Sequence, residues 1–153
     1  MSYAQDHPRL KALEDYWWSV KPAHGLPGRQ HVDPLEIPKL LPWLYLIDVV
    51  PSGATTTGRP RHRFRVRLFG TGLVEMFQRD VTGRWLDGLY PEPHCSQMAA
   101  AYEQVIDARR PLRAAFTMPV EGREFVRFSR VACPLAADGE RIDMLIGVHI
   151  YQR

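Results

Sequence analysis

The chain has 153 residues, of which 45% are hydrophobic and 24% are charged, and this composition excludes a fully disordered protein. A chain of about 150 residues forms one domain with a sizeable core, and no apolar run here reaches the roughly 18 residues of a membrane span. The formal charge of +3 allows an acidic partner without requiring one, and the N-terminal residues contain no apolar secretory segment, so we expect a cytoplasmic protein with reduced cysteines.

An amphipathic helix is predicted over residues 8–20, because apolar side chains recur there at helical spacing and charged side chains occupy the remaining positions. A linker interrupted by four prolines follows it, and a helix cannot continue through such a segment. We therefore predict two parts: an N-terminal helix with a proline-rich linker (1–42) and a main domain (43–153).

The main domain begins with two predicted strands. Leu44–Val50 is apolar almost throughout, which is typical of a strand buried on both faces. After a loop at residues 51–60, Phe64–Leu68 alternates apolar residues with arginines, as a half-buried strand does. The second strand ends at a glycine turn where Thr71 is a candidate cap for a short helix.

The second half contains one long helix and three strands. Ser96 is the candidate cap of the helix, which Pro111 ends. Leu112–Val120, Phe125–Cys133 and Ile142–Ile150 then alternate as strands joined by tight turns, and tight turns imply antiparallel pairing. The predicted fold class is α+β: a five-stranded antiparallel sheet with helices packed on one face and an extra N-terminal helix.

Several short motifs occur in an order that resembles a known family. Gly83, Leu86, Asp87, Leu89 and Tyr90 read as G-x-x-L-D-x-L-[YF] after the strand and short helix. Further matching words are Tyr16-Trp17, Pro27, Arg29, Asp33-Pro34, Ile37, Leu40-Leu41-Pro42 and Phe69-Gly70-Thr71. Over residues 12–151 the chain resembles a PAS domain, within a bacterial PAS subfamily long catalogued as a domain of unknown function.

The resemblance implies a stand-alone sensory or signalling module without catalysis. PAS domains bind small ligands or partner proteins and pass on a conformational change. We expect a small apolar ligand and, as partner, another signalling protein or a second copy in a homodimer. Two alternatives remain open: a carrier or enzyme with an enclosed pocket, and a phosphate or nucleic-acid binder that uses the basic run Arg59–Arg67.

The candidate ligand-binding residues are the apolar side chains predicted to face inward, and ordinary core packing is the competing interpretation. They are Leu68, Phe77, Trp85, Leu89, Met98, Tyr102, Phe116, Met118, Phe128 and Met144. Tyr102, Arg130 or His149 could add polar contacts. Leu13, Trp17 and Trp18 on the first helix are the candidate interaction residues, because an exposed tryptophan beside an apolar stripe favours a partner contact.

No residue pattern predicts catalysis or metal binding. The six histidines lack the spacing of zinc ligands, and Gly70-Thr71-Gly72 lacks the third glycine of a dinucleotide-binding loop. Haem is not expected, because His94 lies at the wrong end of the long helix for an axial ligand. Flavin is not expected either, because the segment around Cys95 does not match the reactive-cysteine motif of flavin-binding PAS domains.

Overall fold

The computed structural model describes residues 7–53 and 61–152. Three 3-10 turns, at residues 29–31, 34–36 and 38–43, fill the linker. The regular elements are α1 (Pro8–Val20), β1 (Leu44–Pro51), β2 (His62–Phe69), α2 (Thr71–Phe77), α3 (His94–Ala108), β3 (Leu112–Thr117), β4 (Arg127–Leu135) and β5 (Met144–Gln152). Within the described ranges, no helix is long and apolar enough to cross a membrane.

The five strands form one sheet in the order β2-β1-β5-β4-β3, and all four neighbouring pairs are antiparallel. The first and last of the described strands, β1 and β5, lie side by side at the centre of the sheet, so pairing over a long sequence separation joins its two halves. The predicted α+β class and the five-stranded antiparallel sheet are confirmed.

Strand alternation gives the sheet two faces. We call the face that carries Phe128, Arg130 and His149 the inner face, and the face that carries Val131 and Val148 the outer face; α3 packs against β3 and β4. All five residues are at most 5% exposed, so β4 and β5 are covered on both faces. Strands covered on both faces lose the polar-out half of the alternating pattern.

Helix α1 covers the outer face of β4 and β5. Its Leu10, Leu13 and Trp17 are at most 1% exposed, and the Trp17 indole Nε1 donates a 2.7 Å hydrogen bond to the carbonyl oxygen of Pro134. Pro8 at the first turn suits the helix start, since proline needs no hydrogen-bond acceptor there. The buried residues of α1 and of the linker belong to the same hydrophobic cluster as the sheet. The division of the chain at residue 42 stays a prediction.

Both predicted helix caps are wrong. Helix α2 begins after Gly70, which has no capping side chain, and Thr71 is already its first helical residue. A methyl group on Gly70 would collide with carbonyl oxygens of the linker, so close packing of this turn against the linker explains the glycine. Helix α3 begins at His94 rather than after Ser96, whose hydroxyl donates to the carboxylate of Glu92.

Candidate functional site

A cavity of about 30 Å³ lies between the inner face of the sheet and the segment that runs from α2 to α3. By the same measure one water needs about 10–15 Å³, so the cavity has room for only a few atoms. Its wall is mostly aromatic and aliphatic, with Arg130 and His149 as its charged or titratable nitrogen groups. The lining residues are Tyr45, Ile47, Phe64, Val66, Phe69, Phe77, Val81, Leu86, Leu89, Tyr90, Met98, Tyr102, Phe128, Arg130 and His149.

The structure brings half of the predicted ligand-binding residues together at this cavity. Those that line it are Phe77, Leu89, Met98, Tyr102 and Phe128. Phe116 and Met118 are buried but do not line it, and the Phe116 ring packs 5.4 Å from that of Phe128. Met144 is half-buried at the start of β5 and lies away from the wall.

The predicted inward orientation of Leu68 is wrong. Leu46 pairs with Leu68, but Ile47 pairs with Val66, so β2 has one extra residue, Arg67, at a bulge. A one-residue insertion exchanges the two faces for every residue beyond it. Leu68 is therefore 39% exposed, and Phe69 lines the cavity in its place.

Trp85 also lies outside the cavity, contrary to the prediction. Its ring packs under the guanidinium of Arg63, 4.0 Å from the ring centroid, and Arg65 lies 5.8 Å away. These arginines point outward from β2, and a cation attracts the face of an indole ring. Leu86, the next residue, turns inward and lines the cavity.

Arg130 and His149 form the polar part of the cavity and are direct neighbours across β4 and β5. The Arg130 guanidinium lies 3.9 Å from the ring centroid of Tyr102 and donates from Nη2 to the Met98 carbonyl oxygen at 3.2 Å. The His149 ring stacks on Phe128 at 4.7 Å, and its Nδ1 lies 3.0 Å from the Tyr151 hydroxyl.

Burial keeps the titratable groups of the cavity neutral, apart from Arg130. It lowers the pKa of His149 well below 6.5, and the charge of Arg130 lowers it further. Burial likewise raises the pKa of Tyr102 above 10.0, although Arg130 opposes that shift. Burial also raises the pKa of Tyr45 and of Tyr90.

The neutral state of His149 predicts a pH-dependent stability. Below pH 6.5 the unfolded chain binds a proton at His149 that the folded protein does not bind. The free energy of unfolding is therefore unaffected by the titration of His149 above pH 6.5. It decreases as the pH falls from 6.5 toward the lowered pKa, by at most about 1.4 kcal/mol per pH unit. Urea denaturation between pH 7.5 and 5.5 measures it. We expect His149→Gln to flatten the dependence and the exposed control His24→Gln to preserve it; an unchanged slope in His149→Gln would contradict the assignment.

Eight lining residues were absent from the predicted set. They are Tyr45, Ile47, Phe64, Val66, Phe69, Val81, Leu86 and Tyr90. Alternation along β2 could have identified Phe64 and Val66. The apolar run of β1 hid which of its residues face inward, because both of its faces are buried and carry similar side chains.

The positions of His94 and Cys95 and the size of the cavity do not fit a haem or a flavin. Neither residue lines the cavity, and the Cys95 thiol is buried within 3.2 Å of the carbonyl oxygens of Leu86 and Tyr90. A pocket for a bound organic cofactor typically has about 300–1,000 Å³. Residues 7–53 and 61–152 also contain no group of three His, Cys, Asp or Glu side chains that could hold a metal ion.

Of the predicted interaction residues, the structure leaves only Trp18 at the surface. Leu13 and Trp17 are 1% exposed and pack on the sheet of their own chain, whereas Trp18 is 55% exposed. The two indole rings meet edge to face with centroids 4.7 Å apart. An interaction through Leu13 or Trp17 would require α1 to leave the sheet.

The described arginines of the basic run contact groups of their own domain. Arg61 pairs with Glu103 and Asp107 on α3, and Arg63 pairs with Asp87. Arg67 pairs with Asp48, and the Arg65 Nε donates to the Gly83 carbonyl oxygen. Arg59 lies outside the described residues. Carboxylates thus offset much of the positive charge that would attract phosphates.

The comparisons with known proteins agree with this fold. The family model PAS_5, a PAS domain, matches residues 5–150. The PAS domain of Bordetella pertussis BvgS is 15% identical, with a TM-score of 0.53 over 80% of this chain and 88% of that chain. A Rhodobacter sphaeroides LOV protein is 15% identical, with a TM-score of 0.49 over 78% of this chain and 68% of that one. A search of curated proteins finds no match. Because the family match spans nearly the whole chain, the protein belongs to the PAS domain family.

Proposed function

We propose that the protein is a non-catalytic sensory module that binds a small ligand in the core cavity and signals to a partner through α1. The observation that carries this proposal is that the cavity and α1 lie on opposite faces of the same strands, β4 and β5. PAS family membership supports a sensory role in general. Family membership does not identify a ligand or a route for the signal, and the proposal adds both.

The contacts between the cavity and α1 are short. Arg130 and His149 face the cavity. Val131, which follows Arg130, and Val148, which precedes His149, face α1. In addition, Arg9 on α1 donates from Nη1 to the backbone carbonyl oxygen of His149 at 3.0 Å. A ligand that binds more tightly when His149 occupies one of two positions would therefore also shift the packing of α1.

The wall of the cavity also supports a role without catalysis. Its described residues include Arg130, His149 and three tyrosines, but no carboxylate, serine, cysteine or lysine. A general acid or base works best with a pKa near the working pH, and burial moves the pKa of His149 below that range and the pKa of the tyrosines above it. The ion pairs of the basic run likewise favour a sensory role over nucleic-acid binding.

The test is to bind small probes and to follow α1. We expect at least one of xenon, benzene, imidazole and propionate to shift the NMR amide signals of Arg130 and His149 and to change hydrogen exchange in residues 8–20. Arg9→Gln should retain binding but weaken the response of α1, because it removes the bond to His149. Lys11→Gln, at an exposed position on the same helix, is the matched control. Absence of binding by every probe, or binding without a response in α1, would overturn the proposal.

We further propose Trp18 as a contact for the partner, which is another signalling protein or a second copy of this chain. Its large exposed ring is the kind of side chain that anchors protein interfaces. Light scattering of the purified protein tests the second copy: a dimer that Trp18→Ala dissociates supports it, and a monomer excludes it.

A further inference from the structure

Arg130 is a buried cation without a carboxylate partner in the described part of the chain. It is 2% exposed, lines the cavity and takes part in none of the ion pairs among residues 7–53 and 61–152. Buried charges in proteins are normally paired, because removing them from water is costly. The described residues therefore supply no counter-charge to this buried cation.

The contacts of Arg130 hold its guanidinium in place but leave hydrogen-bonding capacity. The rings of Tyr102 and Phe116 lie 3.9 and 4.7 Å from the guanidinium carbon, and the Met98 carbonyl oxygen accepts one hydrogen bond. A guanidinium has five N–H donors in one plane, and the face of an aromatic ring attracts the cation without accepting all of them. An oxygen ligand in the cavity would meet a cation that is already oriented.

Among the described lining residues, no other group supplies or cancels this charge. They include no aspartate or glutamate. His149 is neutral beside Arg130, and burial keeps the cavity tyrosines protonated. The cavity is thus a site with one positive charge inside an apolar wall, and it has room for only a few atoms.

We propose that the ligand is a short-chain aliphatic monocarboxylate. Its carboxylate accepts two parallel hydrogen bonds from Arg130, the geometry that guanidinium groups favour, and its alkyl chain packs against Phe128, Leu89 and Met98. The volume of about 30 Å³ has room for two or three water-sized groups, so it favours the shortest members of this class, acetate and propionate, over longer, aromatic or dicarboxylic acids. This inference rests on the proposed ligand-binding function and specifies its ligand.

The test is to titrate the wild-type protein with formate, acetate, propionate, butyrate and valerate, and with the corresponding neutral amides, at constant ionic strength. NMR shifts of the Arg130 and His149 amides report binding. We expect each bound acid to bind about 10- to 100-fold more tightly than its amide, the ratio typical of a charge-assisted hydrogen bond. Affinity should pass through a maximum with chain length, because the cavity is finite.

Two variants separate the role of Arg130 from non-specific attraction. Arg130→Met should weaken acid binding at least about 10-fold while amide binding persists. Arg127→Met removes an exposed arginine of the same strand and should leave both unchanged. Far-UV circular dichroism checks that Arg130→Met folds; should it not fold, the ratio of acid to amide affinity in the wild-type protein decides.

The outcomes distinguish this inference from the proposed function. Equal binding of acids and amides, or binding of benzene or xenon without any acid, would overturn the monocarboxylate assignment and leave the sensory proposal standing. Failure of the acids, the amides and the apolar probes together would overturn both. A loss of acid binding in Arg127→Met as large as in Arg130→Met would place the anion on the surface and overturn the assignment.

Discussion

Replacing Trp17 by alanine is expected to lower the free energy of unfolding by about 3–5 kcal/mol, the usual cost of removing a large buried aromatic side chain. Trp17 is 1% exposed, so nearly all of its area returns to water on unfolding. The substitution also leaves the Pro134 carbonyl oxygen without the indole donor. Urea denaturation followed by far-UV circular dichroism gives the free energy and, from its slope, the compactness of the variant.

Trp18→Ala is the matched control, because the two tryptophans are adjacent on one helix and differ in burial. Trp18 is 55% exposed, and its loss removes an edge contact with Trp17 but no core packing. We expect a loss of less than about 1 kcal/mol. Equal losses in the two variants would show that α1 does not pack on the sheet through Trp17.

The second large effect is expected for Gly147→Ala in the middle of β5. The residue lies between Tyr45 on β1 and Ala132 on β4. A methyl group there would collide with the Tyr45 phenol and with the Val131 carbonyl oxygen, which also accepts a 3.2 Å hydrogen bond from the Tyr45 hydroxyl. The backbone cannot shift as easily as the end of a flexible side chain. We therefore expect the free energy of unfolding to fall by about 3 kcal/mol or more, the upper range for overpacking.

Gly122→Ala provides the control for Gly147→Ala. Gly122 has a φ of +83°, and a methyl group there would meet no atom within 4 Å. Its substitution tests backbone strain without a collision and should cost about 1 kcal/mol. Thermal denaturation of both variants measures the difference. A smaller loss for Gly147→Ala than for Gly122→Ala would contradict the packing of Tyr45 over β5.

The order and type of the strands could be predicted because each depends on local sequence. The arginines that alternate along β2 and the turn residues between β3, β4 and β5 are local features, and the strands occur where these features predict them. The connections at residues 118–126 and 136–143 are longer than the predicted tight turns. The exact ends of elements were less predictable. The helix caps at Thr71 and Ser96 were wrong, because α2 begins where Gly70 packs against the linker and α3 already begins at His94.

The candidate site was only partly predictable, since it depends on which face each residue occupies. The bulge at Arg67 exchanges the faces of the sheet on which Leu68 and Phe69 lie, and no local pattern in β2 predicts it. The ligand proposal depends on Arg130, but the sequence of β4 did not predict which face Arg130 occupies, because β4 is buried on both faces. Its position became clear only from its pairing with His149 and its contact with the Tyr102 ring.

By itself the sequence determined the fold class, the five strands and the resemblance to PAS domains, because these follow from local periodicity, turn residues and short motifs. Tertiary structure alone decided that α1 buries Trp17 against β4 and β5, and that Arg130 faces a small apolar cavity whose described lining contains no aspartate or glutamate. The physical reason is that burial and the pairing of charges arise between residues far apart in the chain. A local pattern records only the preference of each residue and not the neighbour that it meets.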